Sequence, residues 1–276
     1  MVDAIIKVDG LWFAYKEDEY VLQNIDIQFD DKPTAIVGQN GAGKTTFVKV
    51  LKGLLKPSKG DVWIAGTNTK ETTVAQLSKI IGLVFQNPSD QMFKSKVIDE
   101  VMFGPLNIWK DKKDKNFAYE QSIKALKIVE LDNRLEEHPY DLTLSERKLL
   151  CLASIIAMDP KIIILDEPTI AQDRFSTRKL AEIIKELIKD GKVILTITHD
   201  MDFVAENFER TVIFYQGRVL DDGPTEKVLS NEENVVTAHL ELPNLVKLAK
   251  ALDFKTTPLT IDDFVEGFST YKKAEG

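Results

Sequence analysis

Residues 33–46 read PTAIVGQNGAGKTT. The apolar run from Pro33 to Val37 is a short strand signal that opens directly into Gly38, Gln39, Asn40, Gly41, Ala42 and Gly43, followed by Lys44, Thr45 and Thr46. Phe47, Val50, Leu51 and Leu54 then recur at helical spacing, and Gly53 with Pro57 marks the stop. Strand, glycine loop and helix in that order satisfy G-x-x-x-x-G-K-[ST] in the setting that gives the pattern its meaning. Glycines let the backbone wrap a polyphosphate, so that amides such as those of Gly41, Gly43 and Lys44 converge on its oxygens at a helix N-terminus. Lys44 adds a mobile positive charge between the β and γ phosphates, and the Thr45 hydroxyl can take one site on Mg²⁺. The plainer alternative is a tight glycine turn with a capping lysine.

Working outward, IIKVDGLWFAY (Ile5–Tyr15) and VLQNIDIQF (Val21–Phe29) predict two antiparallel strands ahead of the loop. Beyond it, strands are expected from Asp61 and Gly82, then a helix-rich stretch from about Val97 to Ala157. Within that stretch KDKKDK (Lys110–Lys115) reads as a solvated loop or helix face. KIIILDEP from Lys161, a helix from about Ser176 to Lys189, KVILTITHD from Lys192 and RTVIFY from Arg210 restore α/β alternation of parallel-sheet character. The end of the chain, NLVKLAKAL and then IDDFVEGF after a Thr-Pro break, predicts a small helical appendix.

Composition sets the outer limits. With 276 residues, 43% hydrophobic and 29% charged, the chain is a globular protein with ample core, and collagen-like or disordered readings fall away. A net charge of -8 opposes nucleic acid as the main ligand, because backbone binding needs a basic surface to release counterions. The single cysteine, Cys151, sits in the apolar run Leu149–Met158 and fits a buried thiol in a reducing compartment. That run is too short to span a bilayer, and the N-terminus lacks the features of a signal peptide, so any membrane role is expected to come through a partner.

Ile162–Leu165 ends in Asp166, Glu167 and Pro168, which puts two acids at the C-terminal edge of a buried strand, where α/β sheets place ligands. Asp166 suits Mg²⁺ through water, and Glu167 suits orienting or deprotonating an attacking water. Alone, Asp-Glu-Pro could equally be a helix entry. In order with the glycine loop it resembles the ATP-binding cassette ATPases over about residues 3–240. The resemblance implies a P-loop NTPase core with a parallel sheet, an antiparallel β subdomain at the N-terminus, an inserted helical subdomain at about 87–157, an ATPase domain over 1–240 and the helical appendix over 241–276. It implies that Tyr15 stacks on adenine, against the alternative of a strand aromatic in the core. Gln86, in VFQNPSDQMF, matches the family glutamine that senses γ-phosphate and Mg²⁺, and His199 matches the switch histidine; a polar loop residue is the other reading of Gln86. Catalysis is therefore expected from Lys44, Gln86, Glu167 and His199, the metal from Thr45, Gln86 and Asp166, and nucleotide binding from Tyr15 and Gly38–Thr46, with ATP and Mg²⁺ as cofactors.

One motif departs from the family. Where most members carry LSGGQ, alignment from both flanks places Leu142-Thr143-Leu144-Ser145-Glu146, and a second register beginning at Leu144 needs a two-residue shift. Thr143 keeps a hydroxyl, but Leu144 and Ser145 replace glycines and Glu146 brings negative charge to a place that elsewhere faces the γ-phosphate of a partner's ATP. The following loop reads Ala171-Gln172-Asp173 in place of Gly-Leu-Asp. The expectation is a heterodimer with a second cassette ATPase, with one competent and one degenerate site; a homodimer working through Thr143 is the alternative.

FQNPSDQMF, VIDEVMFGPLN and the tail ELPNLVKLAKAL resemble the energy-coupling-factor branch, which imports vitamins and transition-metal ions. That resemblance implies an integral membrane coupling subunit, a separate membrane substrate-binding subunit and a peripheral position on the cytoplasmic face of the membrane. A soluble ATP-gated homodimeric clamp and a regulatory ATP-binding module are the competing classes. The transported substrate is not written in this chain.

Overall fold

The computed structural model describes residues 4–109, 115–254 and 256–275. Most of the charge run beginning at Lys110 lies outside them. In chain order come β1 (Ile6–Ala14), β2 (Tyr20–Phe29), β3 (Thr34–Val37), α1 (Lys44–Leu51), β4 (Lys59–Ile64), β5 (Thr67–Asn68), α2 (Val74–Leu77) and β6 (Ile81–Val84). Helices α3 (Val97–Ile108), α4 (Lys115–Ile128) and α5 (Leu144–Ile156) follow, then β7 (Ile162–Asp166), α6 (Arg174–Lys189), β8 (Val193–Ile197), α7 (Met201–Asn207), β9 (Arg210–Tyr215) and β10 (Arg218–Pro224). The chain closes with α8 (Thr225–Ser230), α9 (Glu232–Thr237), α10 (Asn244–Ala251) and α11 (Ile261–Glu275).

Two sheets organise the chain. β2-β1-β4-β5 form an antiparallel sheet, and the second sheet runs β10-β9-β3-β8-β7-β6. The five strands β9, β3, β8, β7 and β6 are mutually parallel, whereas the edge strand β10 pairs antiparallel with β9, so the core sheet is mixed rather than wholly parallel. β10, RVLDDGP, is a polar edge strand exposed on one side, which is why no apolar run announced it. Helix α1 stops at Leu51; Gly53 turns away at φ +75°, leaving Leu54 exposed instead of continuing the helical stripe.

The short parallel strands are buried on both faces, and their side chains alternate between two cores. Ile36, Ile162, Ile164 and Leu195 pack with Phe47 and the antiparallel sheet. Ala35, Val37, Ile163, Leu165 and Ile194 face the helices, including Val97 and Val101 of α3 and Leu150 and Ala153 of α5. Phe47 packs at a tilt between Phe29 and Phe214, with ring centroids 6.2 and 5.0 Å away, and so pins α1 under the sheet. Cys151 is buried in the helical core, and burial pushes its thiol up to about 12. At the other end, Val246 and Ala249 of α10 are buried, and Phe254 stacks on Phe264 of α11 at 5.1 Å. Among the described residues no helix is long and apolar enough to cross a membrane.

Candidate nucleotide site

β3, β7 and β8 are neighbours and end at one edge of the sheet, delivering Gly38, Asp166 with Glu167, and Thr198 with His199 to the same place. Strand ends of a parallel sheet point free backbone groups and loop side chains outward there, so a ligand meets all three segments at once. Gly38 is forced by close approach: a Cβ would lie 2.3 Å from the Phe214 carbonyl oxygen. Gly43 precedes α1 at φ +100°, and a Cβ there would meet Leu22 at 2.8 Å. No side chain caps α1, so its N-terminal amides are open to an anion.

Lys44 is buried, with Nζ donating to the carbonyl oxygens of Gly38 at 2.6 Å and Gln39 at 3.1 Å. Burial lowers its proton affinity, while the charges of Glu167 and Asp166 work the other way. Ala42 is buried and its N–H closes the loop onto the Gln39 carbonyl at 3.1 Å, while Asn40, Gly41 and Thr45 face outward. Tyr15, at the end of β1, is 59% exposed; its ring meets Phe13 edge-on and its hydroxyl lies 3.3 Å from Thr46 Oγ1. The ring is therefore outside the core and beside the loop.

Thr45 Oγ1 lies 3.4 Å from Asp166 Oδ1. Burial pushes the Asp166 carboxyl up to about 6, against the Thr45 hydrogen bond. A hydroxyl and a carboxylate are hard oxygen donors suited to Mg²⁺, which completes its shell with phosphate and water. Among the described residues no group of three or more His, Cys, Asp or Glu side chains stands ready as a metal cage. Glu167 is buried, at φ +49°, with its N–H on the Ile197 carbonyl at 2.8 Å and Oε2 3.0 Å from His199 Nδ1. His199 is half out in solvent, so the pair joins an inner acid to an outer imidazole. Gln86 is exposed and lines a cavity of about 20 Å³ together with Lys148, Asp166 and Gln172.

The segment 142–146 behaves as a closed helix cap. Leu142 is buried, and Thr143 is the N-cap of α5. The Thr143 N–H and hydroxyl both donate to Glu146 Oε2, at 2.8 and 2.9 Å, and the hydroxyl accepts from the Glu146 N–H at 3.3 Å. These contacts hold the Glu146 carboxyl below the usual carboxylate range, with Arg134 adding its charge from 3.4 Å. Leu144 stands exposed and Ser145 half-buried on the same turn. Asp173 likewise caps α6, accepting from the Ser176 N–H at 2.7 Å. The hydroxyl that Thr143 keeps is engaged by Glu146 in a capping box.

Sequence reasoning passed over two contributors. Lys148 projects from α5 to the turn after Glu167, and Gln91 ties the loop after β6 to α5, accepting from the Phe85 N–H and donating to the Cys151 carbonyl at 3.0 Å. Gln91 falls inside the quoted FQNPSDQMF stretch without being singled out there, and Lys148 follows Arg147 just ahead of the apolar run, where a cation pair signals no particular contact.

Residues 22–170 match the family described as ABC transporter. The energy-coupling factor transporter ATP-binding protein EcfA of Methanocaldococcus jannaschii is 33% identical over 254 residues, covering 91% of this chain and 90% of that protein. The structure of cbiO1 from Clostridium perfringens, part of the ABC transporter complex cbiONQ, superposes with a TM-score of 0.76 at 29% identity over 90% of this chain and 99% of that one. A dimeric ATP-binding cassette in a post-hydrolysis state with ADP and Pi superposes at 0.73, 25% identical over 80% of this chain and 98% of the other. By fold and sequence this chain belongs to the ABC transporter family as an ATP-binding, ATP-hydrolysing subunit.

Proposed function

We propose that the chain is one of two unlike ATPases driving an energy-coupling-factor-type importer of a vitamin or transition-metal ion. The observation that carries this is the Thr143–Glu146 box, in which a carboxylate already occupies the amide and hydroxyl that would greet a partner's γ-phosphate. A chain that offers its partner a poor phosphate contact but keeps Lys44, Thr45, Asp166 and Glu167 together needs a partner with an intact glycine-rich signature. The likeness to EcfA and cbiO1 supports the branch. The assembly then contains this chain, a second ABC ATPase, an integral membrane coupling subunit and a separate substrate-binding membrane protein, with the ATPases on the cytoplasmic face.

In this reading Tyr15 packs on adenine and the 38–46 loop holds the phosphates, with Lys44 leaving the Gly38 and Gln39 carbonyls to meet them. Thr45, Gln86 and, through water, Asp166 would hold Mg²⁺, which supplies charge neutralisation at the phosphate oxygens. Glu167 orients the attacking water and His199 stabilises the γ-phosphate side; Asp173 lies at the interface with the partner. The membrane subunit docks beside α3, where Phe93, Phe103 and Leu106 are exposed and Phe93 meets Phe103 edge-on at 4.7 Å. Buried Glu100 fixes that loop by accepting from the N–H groups of Phe93 at 2.9 Å and Lys94 at 2.7 Å.

The test is the composition of a complex drawn from gently solubilised native membranes through a tag on this chain. A second ATPase with LSGGQ and multispanning proteins are expected; a soluble homodimer overturns the reading. Within the complex, Leu144→Gly with Ser145→Gly and Glu146→Gln should raise turnover, and an unchanged rate would remove the degenerate site from the argument.

A further inference from the structure

Lys148 leaves α5 five residues after its N-cap and crosses to another segment altogether. Its Nζ lies 3.5 Å from the Glu167 carbonyl oxygen and 3.3 Å from that of Pro168, and also donates to that of Ile170. All three oxygens belong to the turn leaving β7. That turn is strained at both ends, with Glu167 at φ +49° and Ala171 at φ +56°. A Cβ clashes with the backbone in this region, so the conformation persists only where surroundings over-determine it. The Glu167 N–H on Ile197 is one restraint. A cation gathering three carbonyl oxygens that would otherwise repel one another is the second.

The lysine is placed where it can act on chemistry. Burial lowers its proton affinity, opposed by the negative charge of Glu167. Lys148 shares its small cavity with Gln86, Asp166 and Gln172, whose Oε1 is buried without a protein partner. Helix α5, the loop after β6 and the turn after β7 therefore meet at one point beside the two acids. Any rotation of α5 relative to the sheet must either carry this turn with it or break the three contacts.

We propose that Lys148 is a positioning residue for ATP hydrolysis: by gripping the 167–170 carbonyls from α5 it sets the direction of the Glu167 carboxylate, so the orientation of α5 governs the water-orienting acid of the same chain. This rests on Glu167 being that acid, and it is independent of what the partner ATPase is. The role differs from packing because it predicts a loss confined to the chemical step.

The experiment measures ATP affinity and turnover of the full chain in the complex purified with its native partners. Lys148→Met should lower turnover roughly 10- to 100-fold, the scale of a misplaced catalytic group, with ATP affinity within about twofold. Lys148→Arg, which keeps a long cation, should recover most of the loss. In a Glu167→Gln background, Lys148→Met should reduce the residual single-turnover rate by less than about twofold, because both changes act on the same group. If Lys148→Met does not assemble, Lys148→Gln, which retains one donor, carries the same comparison. Turnover of Lys148→Met near that of the unaltered chain, or losses that multiply with Glu167→Gln, overturns the proposal. Undiminished turnover of Glu167→Gln by itself instead overturns the reading of Glu167.

Discussion

Asp202 and Asn244 are joined twice: the Asp202 carboxylate accepts from the backbone N–H of Asn244 at 2.7 Å and from its side-chain amide. Asp202 lies in the opening turn of α7, three residues after His199, and Asn244 begins α10. The C-terminal helices are thus fastened to the helix that follows His199. Hydrogen bonds to a charged group are worth about 1.5–3 kcal/mol, at the low end when exposed. Asp202→Ala should therefore speed amide exchange over Asn244–Ala251 about tenfold and leave the core strands protected. Equal exchange in the two proteins would show that Val246 and Ala249 hold α10 without the clamp.

Asp166 links the site to pH. Its carboxyl is raised from 3.8 to about 6, mainly by burial. Between those values the folded chain binds more protons than the unfolded one, so stability falls as pH rises through the window and the full cost stands above it. Removing the charge with Asp166→Asn should stabilise the nucleotide-free chain by about 2 kcal/mol at pH 8, a gain that shrinks towards pH 4. Urea unfolding of both proteins across that range measures it, and a gain independent of pH would contradict the cause given.

Glu167→Gln keeps the size and position of the side chain but removes the charge beside His199. Turnover should fall by about 100-fold or more, while the glycine loop and Lys44, whose hydrogen bonds run to Gly38 and Gln39 rather than to Glu167, keep ATP affinity close to that of the unaltered chain. Equilibrium binding and turnover on one preparation separate the two.

Gly38→Ala places a methyl group against the Phe214 carbonyl, with nowhere to go between β3 and β9. Destabilisation of about 1–3 kcal/mol is expected for such overpacking, together with weaker ATP binding as the loop shifts. Denaturant midpoints and a binding titration check both.

Much of this was readable from residue patterns because the decisive strands are apolar on both faces and bounded by punctuation. Ile162–Leu165 before Asp166 and the run to Val37 before Gly38 could hardly be anything else. β10 was not, since an edge strand carrying Arg218, Asp221 and Asp222 shows neither an apolar run nor clean alternation. Thr143 and Glu146 stand at the spacing of a capping box, yet a hydroxyl read for its use to a partner's phosphate hid its use to its own helix. Lys148 depends on a contact across 22 residues, from α5 to Ile170, that no local pattern encodes.

The place of β3 in the sheet also has a consequence for synthesis. It lies between β8 and β9, its ladder partners among the described residues, and both are made long after it. The loop with its glycines and Lys44 leaves the ribosome early, but the strand that presents it has nothing to pair with until Val193–Tyr215 have followed. Long-range pairing of this kind forms late. A nascent chain stopped before Val193 carries the whole nucleotide motif and no nucleotide pocket, so ATP can steady the finished protein without helping the growing one.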